Sequence, residues 1–186
     1  VVVTTDSEEI AAVSLQAGAQ VPFLRPPELS SDTSSSYDAI RHTLNHYAPQ
    51  KFDYTVLLEP TSPLREEDDI DRVLRILDED RDDFDSIVTL GRVHEHPSIV
   101  KSLRNKMVVS FISKYPIINR RQDQEPAYFP YGVAYAAKTD VLLAQNTFYT
   151  DRCMGFTLQR YQNYEIDDLH DFLCVEAVMK HQWKMT

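Results

Sequence analysis

The chain has 186 residues, of which 42% are hydrophobic and 26% are charged, a composition typical of globular proteins and unlike that of disordered or fibrous ones. Its net charge of -10 argues against nucleic acid and anionic membrane surfaces as partners, because both would be repelled. No apolar run approaches the roughly 20 residues of a membrane-spanning helix, and no basic flank indicates a signal peptide, so we expect a soluble, cytoplasmic protein.

The first half of the chain alternates between predicted strands and helices. Residues 1–4 are a β-branched run, residues 6–9 are typical of a helix start, and Gly18 ends that helix. Further on, apolar runs predict strands, and amphipathic spacing predicts helices. Residues 21–24 are a short extended segment, and the predicted strands cover residues 54–58 and 86–90. The predicted helices carry Ile40, Leu44 and Tyr47, and then Ile70, Val73, Leu74 and Leu77.

The pattern changes after Gly91. Residues 98–103 and 107–112 flank a polar turn, which predicts a hairpin that leaves the main sheet. Regular alternation then resumes. It predicts a strand at 132–137, a helix at 140–145, an extended segment at 157–166 and a final helix from Asp168 to about His181.

This order predicts an α/β fold with a mostly parallel sheet covered on both faces. Such folds usually open with a strand and a glycine-rich phosphate loop, but the four glycines of this chain cannot form that loop. Because Val1 starts directly in a predicted strand, we expect a single domain over residues 1–186 that lacks a leading βα unit of about 30 residues.

Glu165 and Asp167 end an extended segment just before the final helix. Since side chains alternate along extended chain, both carboxylates should share one face. Mg²⁺ takes one or two carboxylates and completes its shell with water and phosphate oxygens. The spacing alone favours the other interpretation, in which Asp167 or Asp168 caps the helix.

Two further segments are candidates for ligand binding. Residues 59–65, Glu-Pro-Thr-Ser-Pro-Leu-Arg, follow a predicted strand where open α/β sheets bind ligands, although a rigid turn explains them equally well. Arg120 and Arg121 lie between Lys101 and an aromatic cluster that includes Tyr131 and Tyr135. Paired guanidinium groups bind carboxylates or phosphates bidentately, but a solvated loop and core aromatics are the commoner outcomes.

Taken together, these segments resemble the acylneuraminate cytidylyltransferase family, the CMP-sialic acid synthetases. The matching segments are TTDSEEIA (4–11), VPFLRP (21–26), PTSPLR (60–65), RQ (121–122) and EID (165–167). Single residues near these segments match as well: Glu28, Leu29, Asp32, Asp171 and Phe172. The resemblance implies a Rossmann-like three-layer nucleotidyltransferase of the nucleotide-diphospho-sugar transferase type. It also implies that CTP is coupled to a nonulosonic acid, a nine-carbon 2-keto sugar acid, with release of pyrophosphate.

The resemblance also implies roles for individual residues. It assigns Arg25, Ser35, Ser36, Glu59 and Thr61 to nucleotide binding, and a homodimer in which residues 92–131 reach over the partner's site. Arg120, Arg121, Gln122, Tyr131 and Tyr135 would then contact the sugar acid. Asp167, Arg121 and Lys101 are the catalytic candidates, and Glu165 and Asp167 match the pair that holds Mg²⁺.

The identity of the sugar acid and the activity itself leave alternatives. A legionaminic-type or other nonulosonic acid is as credible as N-acetylneuraminate, because Glu59 and Tyr131 stand where the family usually has Gln and Asn. A metal-dependent glycosyltransferase that uses a nucleotide sugar has a similar sheet and acidic pair. A dimerising scaffold without activity is the third interpretation, since the chain shows no phosphate loop.

Overall fold

The computed structural model describes residues 1–31, 33–112 and 125–183. The helices are α1 (Glu8–Gln16), α2 (Ser36–His46), α3 (Asp69–Glu79), α4 (Thr139–Gln145) and α5 (Leu169–Gln182). The strands are β1 (Tyr54–Leu57), β2 (Ser86–Arg92), β3 (Lys101–Arg104), β4 (Met107–Ser110), β5 (Tyr128–Lys138) and β6 (Cys153–Thr157). None of the described helices is long and apolar enough to cross a bilayer.

The main sheet has four strands in the order β1-β5-β2-β6. β5 is antiparallel to both of its neighbours, and β2 is parallel to β6. It follows that β1, β2 and β6 all run in one direction and that only β5 is reversed. The predicted α/β class is confirmed, and the predicted predominance of one strand direction holds for three of the four strands.

Helices cover both faces of this sheet. On one face, α3 buries Val73 and Leu77 against Ile87 and Ala136. On the other face, Val88 and Ala137 pack with Leu142 of α4 and with Phe148, and α2 contributes Tyr37 and Ile40. Neighbouring residues of one strand thus pack into opposite cores, because side chains alternate along a strand with a period of two residues, and the result is the predicted three-layer arrangement.

An irregularity in β5 changes which face its side chains meet. The register with β2 shifts between Val88, which pairs with Tyr135, and Leu90, which pairs with Pro130. The buried Thr89 hydroxyl accepts from the amide of Ala134 and donates to a carbonyl of the displaced segment. Extra residues in one strand of a ladder bend that strand and re-aim its side chains.

Two predicted elements differ from the structure. Residues 1–4 are predicted to be a strand, but the structure has only isolated parallel bridges in this part of the chain, Val2 to Gln20 and Thr5 to Leu24. The segment 157–166 was expected to be extended, but the strand is Cys153–Thr157, and Arg160–Gln162 forms a 3-10 turn. A capping box between Gln159 and Gln162 starts that turn, and sequence periodicity does not detect it.

The predicted hairpin is present as β3 and β4, which form a separate two-stranded sheet. Asn105 and Lys106 connect the two strands with positive φ angles of 50° and 66°, the backbone that a two-residue hairpin turn needs. Leu103 and Met107 are 77% and 69% exposed. The part that residues 92–131 play in dimerisation stays a prediction.

An ion-pair cluster holds the amino ends of the parallel strands together. Arg152 donates to both carboxylate oxygens of Asp85 at 2.8 and 2.7 Å, and Lys138 donates to the same carboxylate at 2.8 Å. These two cations hold the pKa of Asp85 at about 2, against an ordinary value of 3.8. The cluster therefore ties the start of β2 to the end of β5 and to the turn before β6.

We predict that Asp85→Asn lowers the free energy of unfolding at pH 7 by about 2 kcal/mol, because charged hydrogen bonds are lost. Since the pKa of Asp85 is lower in the folded state, this contribution is present above about pH 4 and disappears as the pH falls towards 2. Urea denaturation of both proteins at several pH values measures it. The exposed Asp83→Asn is the control, and an equal loss for both variants would contradict the assignment.

Candidate active site

The carboxyl ends of β1, β2 and β6 meet at one edge of the main sheet, because these strands run in one direction. The loop 59–65 follows β1, and the segment 158–167 follows β6. Gly132, in the first half of the reversed strand β5, reaches the same edge. Open α/β sheets bind their ligands outside such an edge.

The side chain of Arg65 fixes the loop 59–65 to strand β5. Its guanidinium group donates to the carbonyls of Glu59 at 2.6 Å, Gly132 at 3.0 Å and Val133 at 2.8 Å. Burial lowers the pKa of Arg65, and Glu59 opposes that shift. Of the two interpretations of this loop, a rigid turn therefore accounts for Arg65, because its Nε and one terminal nitrogen donate to backbone oxygens.

Glu165 is anchored where three chain segments meet. Its Oε1 accepts from the hydroxyl of Ser62 at 3.0 Å and from the amide of Gly132 at 3.2 Å, and Ser62 is only 1% exposed. One residue further, the amide of Ile166 donates to the carbonyl of Thr61 at 2.8 Å. The carboxylate of Glu165 is thus oriented by a buried hydroxyl and a strand amide.

The cap of α5 does not use the carboxylate of Asp167. Asp168 is the N-cap and accepts from the amides of His170 and Asp171 at 2.7 and 3.0 Å. Asp171 completes the capping box by accepting from the amides of Asp167 and Asp168. The side chain of Asp167 is exposed and receives no hydrogen bond within the described ranges, so the cap interpretation applies to Asp168 alone.

Glu59 brings a second carboxylate close to Glu165. Burial raises the pKa of Glu59, the charge of Glu165 raises it further, and Arg65 lowers it. A Cβ atom at position 132 would collide with the Glu59 side chain, so only a glycine lets the two segments approach this closely. The fold therefore holds the carboxylates of Glu59 and Glu165 close together, which costs free energy because like charges repel.

These carboxylates fit a hard divalent cation. Glu165 has one oxygen held by the protein and one without a donor, and Asp167 has both oxygens open to solvent within the residues described here. No cluster of three or more His, Cys, Asp or Glu suited to a metal ion occurs among the described residues. Two carboxylates completed by water and phosphate match Mg²⁺, which seldom takes an all-protein cage.

A buried polar bridge, which the sequence analysis missed, holds this edge in place. Gln162 is 1% exposed, and its amide nitrogen donates to Asp69 at 2.6 Å and to the carbonyl of Leu64 at 3.0 Å. Asp69, also 1% exposed, accepts from the amide of Glu66 at 2.8 Å. The bridge therefore fixes the distance between the loop 59–65 and the segment that carries Glu165.

The structure brings Glu59, Thr61 and Glu165 together, with Asp167 following on the same segment. Tyr131 lies against the α3 core and Tyr135 against the opposite one, because the irregularity of β5 separates them. Burial raises the pKa of both phenols. The two tyrosines thus flank this edge from different sides of the sheet.

The other predicted residues lie elsewhere. Arg25 donates to the hydroxyl of Ser30 at 3.0 Å and faces Asp6 at 3.9 Å. Ser35 is the N-cap of α2, which begins at Ser36. Lys101 is exposed on the separate hairpin. Arg120, Arg121 and Gln122 lie outside the described residues.

Comparison with known proteins identifies relatives of this chain. The profile of the family described as Cytidylyltransferase matches residues 1–181. The N-acylneuraminate cytidylyltransferases of Streptococcus agalactiae serotype III and Escherichia coli O18:K1:H7 are 31% and 30% identical over 93% and 92% of the chain, and 41% and 40% of their own length. The chain thus spans about two fifths of these relatives.

A shorter relative and a solved structure agree with this result. The CMP-N,N'-diacetyllegionaminic acid synthase of Legionella pneumophila is 27% identical over 97% of the chain and 78% of that protein. The structure of CMP:2-keto-3-deoxy-manno-octonic acid synthetase complexed with CTP covers 96% of the chain and 80% of its own, with a TM-score of 0.63 and 14% identity. The resemblance drawn from the motifs is confirmed, and so is the Rossmann-like fold class.

We predict that Glu59→Gln stabilises the protein at pH 7 when measured with EDTA present, because it removes a half-buried charge beside Glu165. The gain should be smaller than the loss in Asp85→Asn. Since folding raises the pKa of Glu59, the gain appears above its ordinary value of 4.5 and vanishes as the pH falls to that value. Urea denaturation at several pH values checks this, with the exposed Glu67→Gln as control; a gain independent of pH would be inconsistent with charge repulsion.

Proposed function

The chain belongs to the cytidylyltransferase family, and on that premise we propose that it couples CTP to a nonulosonic acid to give the CMP-sugar and pyrophosphate. The proposal depends most on one observation: the α5 cap is complete without Asp167. That leaves its carboxylate open, two residues after the anchored Glu165, at the sheet edge where α/β folds bind ligands. The names of the relatives, which include neuraminic and legionaminic acid enzymes, support this substrate class.

In this proposal, Glu165 and Asp167 would hold Mg²⁺, which would neutralise phosphate oxygens and lower the pKa of a bound hydroxyl group. The anomeric hydroxyl of the sugar acid attacks the α-phosphorus of CTP and forms an oxygen–phosphorus bond, while the bond to the pyrophosphate oxygen breaks in line. The hydroxyl proton passes to water, and pyrophosphate leaves with the bonding electron pair. The protein's own contribution is to position the reacting groups. Ser62 and the amide of Gly132 orient Glu165, and the Gln162–Asp69 bridge keeps the two loops in register.

The remaining assignments are part of the same proposal. Arg25, Ser35 and Ser36 would contact the nucleotide, and Glu59 and Thr61 would lie between nucleotide and sugar. Tyr131 and Tyr135 would contact the sugar acid within one chain. In a homodimer, the partner would supply four further contacts to the sugar acid, from Lys101, Arg120, Arg121 and Gln122. As the sequence leads us to expect, the proposed enzyme would work in the cytoplasm.

The direct test is to add CTP, Mg²⁺ and a nonulosonic acid to the expressed protein and to measure pyrophosphate. We expect saturable release that requires all three components. If the protein released no pyrophosphate but transferred the sugar of a nucleotide sugar to an acceptor, it would be a glycosyltransferase instead. Calorimetry with CTP and Mg²⁺ covers the third case, since a scaffold without activity should give no saturable heat.

A matched pair of variants tests the acidic site. Asp167→Asn should lower kcat by about a hundredfold, because a transition-state electrostatic contact is lost, and should weaken Mg²⁺ binding in calorimetry. Asp168→Asn should leave kcat within about twofold, since Asn caps helices as well as Asp does. If both variants lost activity equally while Mg²⁺ binding persisted, Asp167 would be a structural residue only.

A further inference from the structure

The irregular part of β5 lies opposite a single residue of the neighbouring strand. The regular pairs on either side of the register shift leave Thr89 of β2 alone opposite four residues of β5, 131–134. We call these four residues the β5 bulge. A regular antiparallel ladder sets one residue against one, so the ladder hydrogen bonds are interrupted here and other groups must satisfy the buried backbone.

The hydroxyl group of Thr89 replaces the missing ladder bonds. Thr89 and Ala134 are both completely buried, with 0% exposure. The Oγ1 atom of Thr89 accepts from the amide of Ala134 at 3.0 Å. The proton of the same hydroxyl faces two carbonyl oxygens, that of Tyr131 at 2.5 Å and that of Ala134 at 2.9 Å. One side chain thus fastens both ends of the β5 bulge to β2.

The middle of the β5 bulge contacts the acidic site. The amide of Gly132 donates to Oε1 of Glu165 at 3.2 Å. The carbonyl of Gly132 accepts from the amide of Glu59 at 2.9 Å and from the guanidinium of Arg65 at 3.0 Å. The conformation of four residues therefore decides where this amide points, and the ends of those four residues are held by Thr89.

We propose that Thr89 is a positioning residue for the acidic site. The hydrogen bonds described for its side chain all go to β5, and through them it sets the direction of the Gly132 amide that orients Glu165. Without the hydroxyl, the buried amide of Ala134 would lose its acceptor, which is unfavourable enough to shift the bulge. A displacement of about 1 Å can slow a positioned reaction about a hundredfold. The inference rests on the proposed function, in which Glu165 and Asp167 would hold Mg²⁺.

The test compares Thr89→Val with Thr89→Ser. Valine has nearly the shape of threonine but no hydroxyl group, whereas serine keeps the hydroxyl group and loses only a methyl group. With saturating CTP and sugar acid, Thr89→Val should lower kcat for pyrophosphate release by at least about tenfold. It should also weaken Mg²⁺ binding about tenfold in calorimetry without substrates. Thr89→Ser should stay within about threefold of the unchanged protein in both measurements, because its hydroxyl can make the same hydrogen bonds.

Asp85→Asn is the matched control, because it destabilises the same strand at the opposite edge of the sheet. It should leave kcat and Mg²⁺ binding within about twofold of the unchanged protein when each variant is assayed well below its unfolding temperature. If Thr89→Val does not fold, Thr89→Cys takes its place, since a thiol is a weaker donor and acceptor than a hydroxyl group. Thr89→Cys should then lower kcat about fivefold relative to Thr89→Ser.

Three results would overturn the inference while the proposed function stands. They are unchanged kcat and Mg²⁺ binding in Thr89→Val, equal losses in Thr89→Val and Thr89→Ser, and an equal loss in Asp85→Asn, which would show that activity follows stability. If the unchanged protein released no pyrophosphate, the proposed function would fail, but Mg²⁺ binding would still compare the variants. Absence of saturable Mg²⁺ binding as well would overturn both proposals.

Discussion

The carboxylate of Glu165 is the contact on which the site depends. It joins the loop after β1 through Ser62, the strand β5 through the amide of Gly132, and the segment after β6 through its own backbone. The reversal of β5 makes this possible, because the first half of an antiparallel strand ends up beside the carboxyl ends of its neighbours. A strand running with the others would bring its last residues to this edge instead of Gly132.

This arrangement concentrates negative charge in a protein that is already strongly acidic. Glu59 and Glu165 repel each other across a half-buried space, and the net charge of the chain is -10. The guanidinium group of Arg65, within the loop itself, donates to backbone carbonyls and forms no ion pair with either carboxylate in the part of the chain that the structure describes. The fold therefore tolerates unpaired carboxylates at the place where a divalent cation would offset them, a feature more typical of binding sites than of cores.

The sequence predicts those parts of the site whose cause is local. Two prolines around Thr61 and Ser62 indicate a rigid turn, and Glu165 and Asp167 are separated by the spacing that two ligands on one face require. The function of Arg65 is not predictable in this way, because its partners at positions 132 and 133 are distant in sequence. For the same reason the Gln162–Asp69 bridge was missed: a lone Gln and a helix-start Asp become informative only once tertiary structure buries them together. The isolated bridges at residues 2 and 5 show the opposite case, because β-branched residues predict a strand that no full ladder completes.

The segment from Gln162 to Asp168 is held at both ends. The side chain of Gln162 donates to Asp69 and to the carbonyl of Leu64, and the Asp168 cap fixes the start of α5. Between these two points the amide of Ile166 donates to the carbonyl of Thr61, so the distance of Glu165 from the loop 59–65 is set by a few residues of backbone. A substitution that releases either end would therefore displace Glu165 and Asp167 together. It would slow a reaction at this edge of the sheet through position, even though both carboxylates remain.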